Sequence, residues 1–199
     1  MDHTQFSDKY TTITPAAEEP VTLVEAKAWL NVSHSNDDTK ITSLIEAARQ
    51  QAERSMGRTI VSTIFDLYFD QFSGFMGIKK GGITEITSIK YQDSDDSEQT
   101  LATSNYETSR DFAPDSLNFT RIKILTGPTV LVDGYDNVII RLVAGWANKE
   151  AVPEIIKTAI KTRVGTFYET RQEIYTGTQV NEIPNWFDSM LNDYKIINL

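Results

Sequence analysis

The sequence contains no cysteine and only two histidines. Without cysteine there can be no disulfide, thiolate metal site or thiol nucleophile, and the absence fits a reducing compartment. His3 and His34 have no partner at the spacing of a metal site or a catalytic triad, so both read as solvated residues of loops. Long apolar runs are missing too. Stretches such as Val138-Ile-Ile and Leu142-Val-Ala fall far short of the roughly 20 residues that cross a bilayer. The start Met1-Asp-His-Thr-Gln-Phe lacks the basic and apolar parts of a signal peptide, so neither export nor a membrane partner is expected.

Positive charge is also scarce. A net charge of −9 argues against a protein that grips nucleic acid by neutralising phosphates, which takes a clustered basic surface. Gly81-Gly82 stands without the rest of a phosphate-loop pattern, and Asp93, Asp95, Asp96 and Glu98 lack the glycine and distal glutamate of a calcium loop. That acidic cluster reads as a solvated hairpin tip. No cofactor and no metal are expected.

What remains is an ordinary globular composition: 199 residues, 40% hydrophobic and 24% charged, enough for one core or for one domain with a large insertion. Residues 1–20 are polar, aperiodic and interrupted by Pro15 and Pro20, and read as an extended arm, usually disordered at a terminus and able to drape over a neighbour. Thr22-Leu-Val-Glu25 is a capping box, in which each residue satisfies an amide of the other, and opens a helix over 22–31 with Leu23, Ala26 and Leu30 on one face. Asn36-Asp-Asp-Thr caps a second helix over 37–56. There Ile41, Leu44, Ile45, Ala48 and Ala52 keep a helical period, and Gly57 is suited to a left-handed stop.

From Ile60 the pattern becomes β. Strands are expected at Ile60–Phe69, Ile83–Tyr91, Glu98–Leu101, Tyr106–Thr108, Ile122–Leu125 and Val138–Val143, with turn chemistry at Asp93-Ser-Asp-Asp-Ser, Gly127-Pro128 and Asp133-Gly134 and a loop at Arg110–Asn118. Pro153 suits the first turn of a third helix over 153–171, whose apolar stripe includes Ile156, Ile160 and Val164. After the polar stretch Gln172–Glu182, Pro184 opens a fourth helix over 184–193, and 196–199 form an apolar tail. The expected fold class is α+β. A small helical bundle, with two N-terminal and two C-terminal helices, carries a large antiparallel β-rich insertion over 60–145, and the whole forms one domain over 21–195.

Few residues look chemical. Lys157, Lys161, Arg163 and Arg171 make the one basic concentration worth naming, read either as the solvated face of the third helix or as a contact for an acidic neighbour, a second copy included. Trp186, Phe187 and Leu191 suit the core. Ile196, Ile197 and Leu199 lie beyond the last helix, where local burial is harder, and suit an intersubunit contact. A hydrolase would draw its acid and base from residues such as Glu25, Glu46 or Asp66. A non-catalytic binding module would instead use Tyr68, Phe72, Phe75, Tyr91, Tyr106 and Trp146 as a sugar- or peptide-binding face.

Two stretches carry a family resemblance. Pro20-Val-Thr-Leu-Val-Glu-Ala-Lys-Ala-Trp-Leu-Asn-Val, with Asn36-Asp-Asp, Leu44-Ile-Glu-Ala-Ala-Arg and Gly57-Arg, resembles the start of phage head-tail connector proteins, the head-completion or adaptor proteins of tailed phages and prophages. Val143-Ala-Gly-Trp, Val152-Pro-Glu-Ile-Ile-Lys-Thr-Ala-Ile and Phe167-Tyr-Glu-Thr-Arg-Gln-Glu resemble that family's return to helices. The resemblance runs in order over residues 20–195. It implies a structural protein without catalysis that forms a ring beneath the portal, extends the DNA channel and offers a surface to a stopper or tail-completion protein. By that implication the portal protein, the tail-side protein and further copies of the chain are the partners, DNA passes through the lumen without specific binding, and the protein resides at the head-tail interface of the virion after assembly in the host cytoplasm. Weak self-association in solution and strong assembly on the portal are expected.

Overall fold

The computed structural model describes residues 4–7, 9–109, 112–117, 119–127, 134–170 and 186–196. Helix α1 (Leu23–Leu30) starts from the capping box as the sequence predicts. The Thr22 amide donates to Glu25 Oε2 at 2.7 Å, the Glu25 amide donates to Thr22 Oγ1 at 3.2 Å, and Asn31 ends the helix at φ 56°. Helix α2 (Asp38–Met56) turns Ile41, Ile45, Ala48, Ala52 and Met56 inward and stops at Gly57, whose φ of 70° a side chain would resist. Its N-cap is Asp37 rather than Asn36, and that carboxylate accepts a hydrogen bond from the Tyr168 hydroxyl. Helix α3 (Glu154–Glu169) and the short α4 (Trp186–Leu191) pack against α2, giving a dry core of α2 residues with Ile156, Ala159, Ile160, Val164, Phe187 and Leu191. Alanines at 48, 52 and 159 let the backbones approach closely. Trp186, expected in the core, is 62% exposed, because this six-residue helix turns Phe187 and Leu191 inward and so points its first residue outward.

Between the two helical pairs lies the β-rich unit. Its strands are β3 (Thr63–Phe69), β4 (Phe75–Ile78), β5 (Ile83–Gln92), β6 (Glu98–Thr100), β7 (Tyr106–Thr108), β8 (Thr120–Ile124) and β9 (Val138–Ala144). The N-terminal arm adds β1 (Thr4–Ser7) and β2 (Tyr10–Thr14). The order is β2-β3-β9-β5-β6 in a five-stranded sheet and β1-β4-β8-β7 in a four-stranded one, with every pairing antiparallel except β1 with β4. One core serves both sheets, with Met76, Ile78 and Ile122 from one and Phe65, Leu67, Ile140 and Leu142 from the other. Strand β9 alternates buried and half-buried residues, the period of a strand with one face on the core. β3 alternates poorly because Asp66 is also buried: it faces Arg141 across the ladder and receives two hydrogen bonds of 2.7 Å from the guanidinium. The bond to Asp66 holds the Arg141 guanidinium above its ordinary value.

The arm therefore departs from the expectation of a disordered tail. Tyr10-Thr-Thr-Ile-Thr is rich in β-formers, and β3 offers it a free edge at a register of Tyr10 opposite Leu67. Phe6 lies flat over Gly77 of β4, where any Cβ would collide with the ring. β4 carries a weak strand signal in sequence, because Phe-Met-Gly-Ile is short and contains a glycine.

Residues 60–62, expected as the start of a strand, instead stitch the two units together. The Trp146 amide donates to the Ile60 carbonyl at 2.8 Å, the Ser62 amide to the Trp146 carbonyl at 2.9 Å, and the Gly145 amide to the Gly82 carbonyl at 2.8 Å. Gly145 is indispensable to this junction. Its φ is 102°, and a Cβ there would stand 2.7 Å from the Val61 carbonyl.

Candidate functional site

The basic residues of α3 come first, because the sequence singled them out. Each is engaged within its own helical layer. Lys157 is buried with its ammonium 2.8 Å from Glu154, Lys161 lies 5.5 Å from the centre of the Trp29 ring, and Arg163 donates to Gln51 Oε1 at 2.7 Å while its guanidinium faces Phe167 and Phe187. The stems of these long cations cover apolar surface while their heads find partners nearby. Ile196 is no free tail residue either. It is 5% exposed, its amide donates to the Met56 carbonyl at 2.8 Å, and its side chain fills the space left by Gly57 and Gly81. Arg171, Ile197 and Leu199 lie outside the described residues, as do the stretch Gln172–Glu182 and Pro184.

The residues considered for other functions are likewise committed to structure. Glu25 belongs to the capping box, and its hydrogen bonds from Thr22 hold its carboxyl below the usual value. Asp66 is tied to Arg141, and Glu46 accepts from Gln50 on the next turn of α2. His34 stands 3.9 Å from Asp37, while His3 lies outside the described residues. Asp93 accepts the amides of Asp95 and Ser97 and the side chain of Gln99, closing the β5–β6 hairpin as a turn. Tyr68, Phe72, Phe75, Tyr91 and Tyr106 are half-buried and Trp146 is buried, so they present no exposed aromatic row.

One open feature was not visible in the sequence. A groove of about 850 Å³ runs between the arm, the end of α2 and the β4–β5 connection. The arm supplies Phe6, Ser7 and Tyr10, α2 and its exit supply Glu53, Arg54, Gly57 and Arg58, and the connection supplies Lys79 and Lys80. Four cations thus face one carboxylate, on a chain that is acidic overall. Glu53 receives Arg49 at 2.9 Å and the Ile60 amide at 2.9 Å, and its charge also supports that of Lys80.

The four cations differ in what they can do. Arg58 is 1% exposed, and donates through Nη1 to the Pro114 carbonyl at 2.7 Å and through Nη2 to the Ser116 carbonyl at 3.1 Å. It is a structural pin for the 112–117 loop, and burial pushes its guanidinium below the ordinary value. Lys80 is half-buried, with its ammonium 4.4 Å from the Tyr10 ring centre and 4.2 Å from that of Phe65, and burial pushes its ammonium down as well. Arg54 and Lys79 are exposed, and neither makes an ion pair among the described residues. The only sequence signal for this site was the pair Lys79-Lys80 beside two glycines. Its aromatic wall comes from an arm some 70 residues away in the chain, a contact that no local pattern encodes.

A sequence model of the family described as "Phage gp6-like head-tail connector protein" matches residues 20–123. No curated protein matches the chain. Among solved structures the fold is similar to a chain of the neck of an empty GTA particle computed with C6 symmetry, at a TM-score of 0.78 and 17% identity, covering 96% of this chain and 97% of that one. It is also similar to a chain of the virion of a native gene transfer agent particle, at 0.76 and 16%, covering 96% of each. A third likeness is to a chain of the neck of a native GTA particle computed with C12 symmetry, at 0.75 and 16%, covering 96% and 97%.

Proposed function

Because the chain belongs to the phage gp6-like head-tail connector family, we propose that it is a subunit of a ring at the portal vertex, joining head to tail and extending the DNA channel. The structural, head-to-tail joining role follows from the family. The ring, the portal and the channel are the finer reading, and the observation that supports it is the fold: 96% of the chain is matched by chains of particle necks whose symmetry is described as six- or twelvefold. A heterologous contact repeated around an axis closes into such a ring.

The chemistry supports the same reading. The carboxylates of Glu25, Asp66 and Glu46 are engaged in a cap, a cross-strand pair and a helix surface, which suits a structural role without catalysis. A net charge of −9 suits a conduit, because a surface that repels phosphate lets DNA slide past without specific binding. The partners are the portal protein on one side, a stopper or tail-completion protein on the other, and copies of the chain itself. Assembly takes place in the host cytoplasm and leaves the protein at the head-tail interface. Electron microscopy of the purified chain mixed with its cognate portal ring tests this. A coaxial ring added to one end of the portal is the expected result, and a bare portal across salt and concentration overturns the reading.

A further inference from the structure

The end of α2 and the β4–β5 connection meet at two glycines. The Gly81 amide donates to the Gly57 carbonyl at 3.1 Å, and a Cβ on Gly81 would stand 2.5 Å from the Ile196 side chain and 3.2 Å from that of Arg58. This close approach sets Lys79 and Lys80, which precede Gly81, against Arg54 and Arg58, which flank Gly57, and all four line the groove of about 850 Å³. Gathering like charges in one groove costs stability, because each pair repels through a medium less polar than water. The C-terminal end of α2 favours one cation in its last turn, Arg54. Its final carbonyls are already taken, however: that of Glu53 accepts from Arg58, that of Met56 from Ile196 and that of Gly57 from Gly81. The helix end therefore accounts for one of the four.

The fold answers the others only in part. Glu53 supports the charge of Lys80, but it also accepts from Arg49 and from the Ile60 amide. Arg54 and Lys79 are exposed and make no ion pair among the described residues. Lys80 has the rings of Tyr10 and Phe65 where an anion would ordinarily stand, at 4.4 and 4.2 Å from their centres. Arg58 is 1% exposed, and its Nε has no hydrogen-bond partner among the described residues. A buried donor left open is costly, and points to a group that the chain does not itself supply.

Phosphate suits this setting better than a carboxylate. It brings a charge of about −1.5 to −2 and three strong acceptor oxygens, enough to meet several cations at once. The arm side of the groove is aromatic, with Phe6 and Tyr10 each about half exposed. Ring faces beside a cluster of cations are what an unpaired base stacks on when its phosphate is held.

We infer that this groove binds the phosphate of a nucleotide, free or carried by a single nucleic-acid strand, with Arg54, Lys79 and Lys80 holding its oxygens and Phe6 and Tyr10 facing its base. The site is read from one subunit and stands apart from the ring reading. Lys80 gains most, since burial disfavours its charge and a phosphate restores it. A phosphate contact carries no sequence information, so one such groove on an acidic chain is compatible with DNA passing without specific binding.

The test titrates the purified full chain with inorganic phosphate, thymidine monophosphate and a short single-stranded oligonucleotide, read by amide chemical shifts and by thermal melts. The shifts centre on Gly57, Arg58 and Lys79–Gly82, and the mononucleotide binds about tenfold tighter than inorganic phosphate because its base stacks. Arg54→Gln with Lys79→Gln weakens each ligand by about tenfold or more, and both positions are exposed, so the variant melts like the parent. Lys80→Met keeps an apolar stem among the rings and has the same effect. Should that variant fail to fold, the exposed pair still decides the matter. An oligonucleotide tighter than the mononucleotide assigns the groove to a strand, and one no tighter assigns it to the free nucleotide. Four results overturn the site: no binding of any phosphate compound at millimolar concentration, shifts centred elsewhere, affinity unchanged in the double variant, or displacement of the nucleotide by an equal concentration of a glutamate-rich peptide. The last would make the groove a surface for an acidic protein segment instead.

Discussion

The helical layer and the β unit treat their charged side chains differently. In the helical layer nearly every cation of α3 is matched inside the subunit: Lys157 with Glu154, Arg163 with Gln51 and two phenylalanine rings, Lys161 with Trp29. In the β unit the pairs Asp66–Arg141 and Lys90–Glu98 are matched, while Lys79 of the β4–β5 connection and Asp95 and Asp96 of the β5–β6 turn make no ion pair among the described residues. A helix surface is folded back on neighbouring helices within one chain, whereas the outer strands of an open sheet have no further strand beside them. The cations of α3 therefore have their partners within the helical layer.

The comparison breaks most completely at the junction, where the two units meet. Gly145→Ala places a methyl group against the Val61 carbonyl at a left-handed φ, and is expected to cost about 3–5 kcal/mol, seen as a large drop in the midpoint of chemical denaturation. An unchanged midpoint would mean that the two units are not locked there. Next in size is Arg58→Met, which removes from a buried guanidinium site the two hydrogen bonds donated to the carbonyls of Pro114 and Ser116. About 2–4 kcal/mol is expected to be lost, together with faster amide exchange in the 112–117 loop.

Smaller effects sharpen the contrast between the units. Gly77→Val evicts the Phe6 ring and frees β1, with a cost of about 1–3 kcal/mol. Limited proteolysis checks it: cleavage within the first 15 residues is expected in the variant and not in the parent, and equal resistance would show that the arm does not depend on Phe6. The smallest is Thr22→Ala, which removes the α1 cap for about 1 kcal/mol without disturbing the β unit. Its pH dependence has a definite sign. The folded Glu25 carboxyl lies below its ordinary value, so its contribution is fully present above the ordinary glutamate range and is lost as pH falls through the lowered folded value. The gap between parent and variant in thermal melts should therefore narrow on acidification, and a gap that widens would show that the cap does not act through the Glu25 carboxylate.

Local devices made much of this fold readable. The Thr22–Glu25 box, the helical spacing from Ile41 to Ala52, the stop at Gly57 and the alternation of Val138, Ile140 and Leu142 all act within a few residues, so the α+β class and the order of the helices and longer strands follow from the chain alone. Tertiary structure alone decided the rest. Strand β2 exists because β3 has a free edge, β1 because Gly77 leaves room for Phe6, and the reading of Lys157 and Arg163 turned on what lies across from them. A cap or a period is set by neighbours in sequence, but the worth of a charge depends on which partner and how much water surround it in space. That is why the groove at Lys79 and Lys80, built from segments far apart in the chain, became visible only in three dimensions.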